Sequence, residues 1–133
     1  SVCKQTDSQF SIFSINELPM SLSFNSSISG IRAATNMLNT SAHNIANSNT
    51  DGYKKQHVNL KSDHGGGVIA EIAESTERGS RYKNKRGDTV ETSNVNYIEE
   101  VVTQIKARHL LSANAAAIKY TNKAQESIMD IIA

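Results

Sequence analysis

The sequence predicts a mainly α-helical protein, a long antiparallel, coiled-coil-like hairpin of N- and C-terminal helices with a small β-hairpin or extended insertion between them. Three observations carry this prediction. Residues 93–132 contain no Pro or Gly, and their apolar residues recur at spacings of three and four on two neighbouring tracks. Ile98, Val102 and Ile105 form one track; Val101, Leu111, Ala115, Ile118, Met129 and Ile132 form the other. A second heptad seam, Phe24, Ile28, Ile31, Thr35, Leu38, Ala42 and Ile45, lies near the other end. Between the two stripes stand about forty-five residues with turn signals and short alternating runs.

In chain order, residues 1–19 are polar, Ser- and Gln-containing, and end at Pro19, and they read as a flexible leader. Within them Phe10, Ile12, Phe13 and Ile15 could instead form a short strand or a hydrophobic clip on the helices. The segment is too broken by Ser11, Ser14 and Asn16 for a secretory signal.

Residues 20–52 comprise the first helix, expected over about Ser23 to Asn47, and an Asn-rich turn. Its seam is narrow and suits a coiled-coil partner. Gly30 costs the helix about 1 kcal/mol relative to Ala, so packing must hold it. Asn44, Asn47 and Asn49 suit a turn in which their amides bond nearby backbone, and Gly52 suits the left-handed residue that reverses the chain. The alternative role for these asparagines is contact between subunits.

Residues 53–92 are the connector. Gln56 to Lys61 alternates at period two and reads as a strand, Gly65–Gly67 as a turn, and Val68 to Ala73 as a second strand candidate, although Ile69 and Ile72 with Glu71 and Glu74 also fit a helical turn. Ser75 to Thr89, polar and containing Gly79 and Gly87, reads as extended chain. The last helix then occupies residues 93–133, starting among Ser93, Asn94 and Asn96, with Glu99 and Glu100 facing the positive end of its dipole. Such a helix spans roughly 50 to 55 Å. It is expected to exceed the first by about fifteen residues, leaving a stripe for other copies to cover. Ala113, Ala115, Ala116 and Ala117 suggest a close helix approach there, with Asn114 hydrogen-bonding across it.

Composition narrows the function classes. The 133 residues are 38% hydrophobic but only 5% aromatic, with no Trp, which suits helical stripes better than a thick core. A formal charge of +1 argues against a general polyanion binder. A single cysteine, Cys3, permits no intrachain disulfide, and the four histidines lack zinc-ligand spacing with it. No run is long enough to insert into a bilayer. His64-Gly65-Gly66-Gly67 is similar to an oxyanion-hole stretch, but no G-x-S-x-G elbow accompanies it, so no enzyme, metal or cofactor is expected. Arg78, Arg81, Lys83, Lys85 and Arg86 around Tyr82 are the best argument for nucleic acid, outweighed by a solvated loop or one that meets an acidic face of a neighbour.

Two motifs carry a family resemblance. Asn44-Ile45-Ala46-Asn47-Ser48-Asn49-Thr50-Asp51-Gly52-Tyr53 resembles the N-L-A-N-x-N-T-x-G-aromatic signature of bacterial flagellar axial proteins. Ser93-Asn94-Val95-Asn96, leading through a helix to Asn114, resembles their C-terminal signature, S-N-V-D followed by A-Q-R-x-Y-x-x-N. The resemblance implies a subunit of the flagellar basal-body rod that crosses the periplasm, built from terminal helices packed into a tube and exported through the flagellar type III gate without a cleaved signal peptide. The short middle is similar to the proximal-rod subunits. The implied partners are other copies, neighbouring rod subunits and the export apparatus, and a dimer or oligomer is expected for the isolated protein.

The chain departs from the pattern at Ala107-Arg108-His109-Leu110-Leu111, which lacks the Tyr, and at His43, where a small polar residue is usual. Family proteins begin just before the first helix, so Met20 is the expected native start. The readings from other classes are a generic coiled-coil adaptor or scaffold, and a nucleic-acid module using residues 78–86.

Overall fold

The computed structural model describes residues 18–132. Helix α1 spans Leu18–Ala46 and helix α2 spans Tyr97–Ile132. Between them lie two antiparallel pairs, β1 (Gln56–Asp63) with β2 (Gly67–Glu74), and β3 (Arg81–Lys83) with β4 (Thr89–Glu91). Most of the expected leader lies outside the described residues, including Phe10, Ile12, Phe13 and Ile15; Leu18 and Pro19 open α1, where Pro is tolerated because first-turn N–H groups have no helical acceptor.

Two boundaries differ from expectation. Helix α1 begins five residues before Ser23 and α2 begins at Tyr97, so α2 is seven residues the longer, 36 against 29, and not fifteen. The delay in α2 has a local cause: Asn96 is its cap, its Oδ1 accepting the Ile98 N–H at 3.0 Å, while Ser93 and Asn94 are held extended by other bonds. The connector is also more ordered than polarity suggested. Arg81↔Glu91 and Lys83↔Thr89 pair around the turn at Asn84–Gly87, where the Asn84 side-chain oxygen accepts from the Arg86 and Asp88 N–H groups.

The β1–β2 ribbon lies along α1. At its base Gln56 bonds Asn44, and at its tip the Val68 N–H donates to Ser29 Oγ at 3.0 Å. Those anchors are fifteen residues apart on the helix, about 22 Å, close to the roughly 26 Å of an eight-residue strand. The ribbon therefore braces α1 over half its length.

The helix pair is closed by small and polar residues. Among the described residues the buried hydrophobics are Ala33, Ala34 and Ala107, joined by buried Ser27, Thr40, Ser41, Asn44 and Glu100. Ser41 Oγ donates to the Glu100 carbonyl at 3.0 Å, and Asn114 lies over Gly30, so contacts earlier in α1 fall later in α2. On α1 the buried track Ser27, Gly30, Ala34, Ser41 and Asn44 runs one residue ahead of the apolar seam. Its spacing is the same heptad, rotated by one position.

The seam was expected to face the partner helix, and instead the small track does. Ile28 is exposed, as are Thr35 and Ala42, whereas Ile31, Leu38 and Ile45 are half-buried. The reason is distance. Gly and Ala let two backbones approach closely enough for Ser41 and Asn44 to reach α2, which bulky side chains would prevent. Ala113, Ala115, Ala116 and Ala117 are exposed, so they take no part in the packing of α1 on α2 within the chain. Asn114 takes the inward position, and its amide donates to the Leu110 carbonyl of its own helix at 2.8 Å.

Gly30 gives this packing a direct test. A Cβ there would sit 2.5–2.7 Å from the Asn114 amide atoms. Gly30→Ala is expected to destabilise the protein, although alanine alone favours a helix by about 1 kcal/mol. In an Asn114→Ala background the same change should become stabilising by about that amount. Urea unfolding of the four proteins measures the coupling, and additive effects would mean the two residues do not meet.

Candidate assembly interface and the clasp behind it

The end of α1, the start of the ribbon and the entry to α2 converge on Asn44, which is fully buried. Its Nδ2 donates to the Gln56 carbonyl at 2.6 Å and to Glu100 Oε1 at 2.9 Å. Its Oδ1 accepts from the Gln56 N–H at 2.9 Å and the Tyr53 hydroxyl at 2.9 Å. Both donors and both acceptor sites of the amide are thereby used. One side chain joins α1 to β1, to the turn and to α2.

The groups around Asn44 are tuned to it. Burial, and then the nearby Glu100 and Glu74 charges, push the Tyr53 hydroxyl above its usual range, which keeps its proton in place for donation. With that proton committed to Asn44, the His43 Nδ1 lying 2.9 Å from the same oxygen is the donor to it. Glu100 is a buried carboxylate in the first turn of α2, offset by the Asn44 amide and by the positive end of the helix.

A second asparagine completes the clasp. Asn94 accepts the Lys55 N–H at 2.6 Å, donates through Nδ2 to the Glu77 carbonyl at 2.9 Å and Ser75 Oγ at 3.3 Å, and donates its N–H to the Tyr53 carbonyl at 3.4 Å. Ser93 Oγ accepts from the Val95 N–H at 3.3 Å. Gly52, in the left-handed region at φ 73°, donates its N–H to the Glu91 carbonyl at 2.8 Å. Gly79 passes so close to Thr92 that a Cβ would collide with its carbonyl. The two sequence motifs, some forty residues apart, are thus one structural unit.

Charges close the outside of this unit. Lys54 donates to Glu91 Oε1 at 2.5 Å and to the Glu77 carbonyl at 2.9 Å, and the Gly79 N–H reaches the same Glu91 oxygen at 2.8 Å. Those contacts, the lysine first, hold the Glu91 carboxyl below its ordinary value. Lys55 bonds Glu99 Oε2 at 3.1 Å, which raises the lysine despite the opposing effect of burial. Tyr82 donates to Asp51 at 2.8 Å, tying β3 to the Asn-rich turn.

The asparagines expected in the turn therefore divide. Asn47 serves the turn, donating to the His43 carbonyl at 2.9 Å and accepting from Thr50 Oγ1 at 3.3 Å. Asn49 is exposed. Asn44 does more than close the turn, and nothing in its spacing distinguished it from the other two. Glu100 and Tyr53 were not singled out as partners, although Tyr53 stood inside the quoted motif.

The apolar positions considered for assembly are mostly outside. Ile98 is 74% exposed, Ile105 51%, Met129 63% and Ile132 80%, and Val102 and Ala115 are exposed as well. Leu111 and Ile118 are half-buried. Among the described residues no cluster of His, Cys, Asp and Glu could hold a metal ion, and no helix is long and apolar enough to cross a membrane.

These features describe a helix pair locked by polar bonds at one end, with large apolar residues left outside. Residues 24–54 match the family model described as "Flagella basal body rod protein", which supports the flagellar rod family that the two motifs resemble. The match covers α1 from Phe24 and the turn through Lys54, under a quarter of the chain. That family is a structural component of the rod and not an enzyme family. No curated protein matches the chain.

Two measurements test the clasp. Asn44→Ala leaves Glu100, the Gln56 N–H and the Tyr53 hydroxyl without their partner, so a loss of about 3 kcal/mol is expected by chemical denaturation. A loss under 1 kcal/mol would mean the bonds are incidental. Glu91 supplies the second test, through its lowered carboxyl. Its contribution is present above the unfolded carboxylate value and is lost as pH falls through the folded one. Glu91→Gln should therefore lower the melting temperature at pH 7 and converge with the parent in acid, once pH has fallen through the lowered carboxyl. An equal difference at pH 7 and in acid would assign the effect to shape and not to charge.

Proposed function

We propose that the protein is a non-enzymatic subunit of the bacterial flagellar basal-body rod, in which it assembles through its terminal helices into the shaft that crosses the periplasm. The observation that carries the reading is the family match over residues 24–54, because those residues include Asn44, the centre of the clasp. The C-terminal signature supports it independently: Asn94 bonds Lys55 and Tyr53, so the second motif closes on the first.

The mechanism follows from which track is inside. The order of the contacts, Ser41 with Glu100 and Gly30 with Asn114, supports reading the helices as an antiparallel hairpin sealed by small residues. The larger apolar residues remain for neighbours: Ile28, Ile31, Leu38 and Ile45 on α1, with Ile98, Val102, Ile105, Leu111, Ala115, Ile118, Met129 and Ile132 on α2. Burying them at a growing tip supplies the driving force for assembly. The partners are copies of the chain and other rod subunits, reached by export through the flagellar gate; neither nucleic acid nor a cofactor has a part.

Deleting the gene in its own host is expected to abolish rods and swimming, with both restored by a complementing copy. Electron microscopy of basal bodies and a motility assay read the two results. Normal rods and swimming in the deletion strain would overturn the rod assignment.

A further inference from the structure

Five cations, Arg78, Arg81, Lys83, Lys85 and Arg86, fall in nine residues without a carboxylate, and all five are exposed. Among the described residues none of them is in an ion pair; the four pairs present use Lys54, Lys55 and Lys61. Setting these five aside from the 14 basic residues leaves 9 against 13 acidic ones. A nearly neutral chain is thus strongly polarised.

The β3–β4 ribbon holds this charge at the entry to α2, where the Thr92 N–H bonds the Ser80 carbonyl at 2.7 Å. Beside it Arg78 lines a shallow groove with Ser93, Asn96 and Tyr97, and Tyr97 is 61% exposed. Arg81 and Lys83 alternate with Tyr82, so they share one face at about 7 Å separation. Tyr82 is tied to Asp51, which takes its hydroxyl away from this face.

The opposite end of α2 is the complement. Glu126 and Asp130 stand four apart on the helix, about 6 Å between their Cβ atoms, and no cation follows Lys123. Both are exposed, among Ile128, Met129 and Ile131. An acidic pair set in apolar residues is the complement, in chemistry and in spacing, of the Arg81–Lys83 pair. Within one chain the two cannot meet, because the 33 residues from Tyr97 to Asp130 hold them about 50 Å apart on one helix.

We infer that the β3–β4 ribbon of one copy receives the Glu126–Asp130 end of α2 from a second copy. The inference rests on the rod reading and deepens it by naming the partner of this surface. The two patches lie at opposite ends of α2, so the contact is made twice in an antiparallel two-fold pair or once per junction in a head-to-tail chain.

Charge reversal tests the contact in purified full-length chain by sedimentation velocity at low and moderate salt. Arg81→Glu with Lys83→Glu makes both patches acidic, and Glu126→Lys with Asp130→Lys makes both basic. Each variant alone should associate about tenfold more weakly than the parent, and their equimolar mixture should recover the loss, since each then offers what the other lacks. Circular dichroism of each variant separates misfolding from lost contact, and recovery in the mixture requires folded chains. A parent that stays monomeric, reversed variants that associate like the parent, or a mixture no better than its components would each overturn the proposal. So would retention of the parent on heparin, lost in the Arg81→Glu, Lys83→Glu variant without change in self-association, which would assign the ribbon to a polyanion. Rods that form normally in cells carrying either reversed variant would sink the contact and leave the rod reading standing.

Discussion

The fold depends on a single saturated amide. Asn44 spends two donors and two acceptor sites on groups from three different parts of the chain, and each of those groups would lose a bond at a buried or half-buried position without it. No other side chain has this valence at this size. Asp would replace two donors by a charge facing Glu100, Leu would leave all four partners unmet, and Gln would carry the amide one methylene too far. The constraint runs outward from there. Because Asn44 must reach Glu100, the helices must come close, and because they come close the track between them must be Gly, Ala and Ser.

That chain of necessity explains the low aromatic content better than a weak core does. Only Ala33, Ala34 and Ala107 among the described residues are buried hydrophobics, so burial of apolar area contributes little inside the chain, and directed bonds carry the specificity. The arrangement inverts the usual two-helix solution. Polar and small residues form the seam while Ile98, Ile105 and Met129 remain in water. Under the proposed rod role the inversion has a use: a subunit whose helices are already locked by hydrogen bonds keeps its apolar surface for its neighbours.

Much of this was legible in the sequence. Periodicity marked two long helices and a ribbon between them, and Gly52 was readable as a left-handed turn residue. What periodicity could not decide was which of two adjacent tracks turns inward. The apolar seam from Ile28 to Ile45 and the small track from Ser27 to Asn44 have the same heptad spacing, and hydropathy alone favours the wrong one. The deciding signal was chemical: three small residues, Gly30, Ala34 and Ser41, in register with an Asn. The β3–β4 pair was missed for a different reason, since three-residue strands lie below the length at which alternation is visible, and its turn is made by Asn84 side-chain bonds. Asn94 was legible as a motif position but not as a crosslink, because its partners Lys55, Ser75 and Glu77 are brought to it only by the ribbon.

The location of the clasp also determines how stability is distributed along the molecule. Its bonds join α1, the turn, β1 and the start of α2, whereas the last turns of α2, with Ile131 84% exposed and Ile132 80%, have none of these ties. An end of this kind gains order chiefly from what it docks against, and its free energy then depends on the concentration of that partner. The clasp holds the other end regardless. A chain built so has one end whose geometry is fixed in the monomer and one end whose geometry is completed by contact. Under the proposed rod role that difference has a consequence: the fixed end serves an incoming subunit as a ready template, and the open end is the part that responds to it.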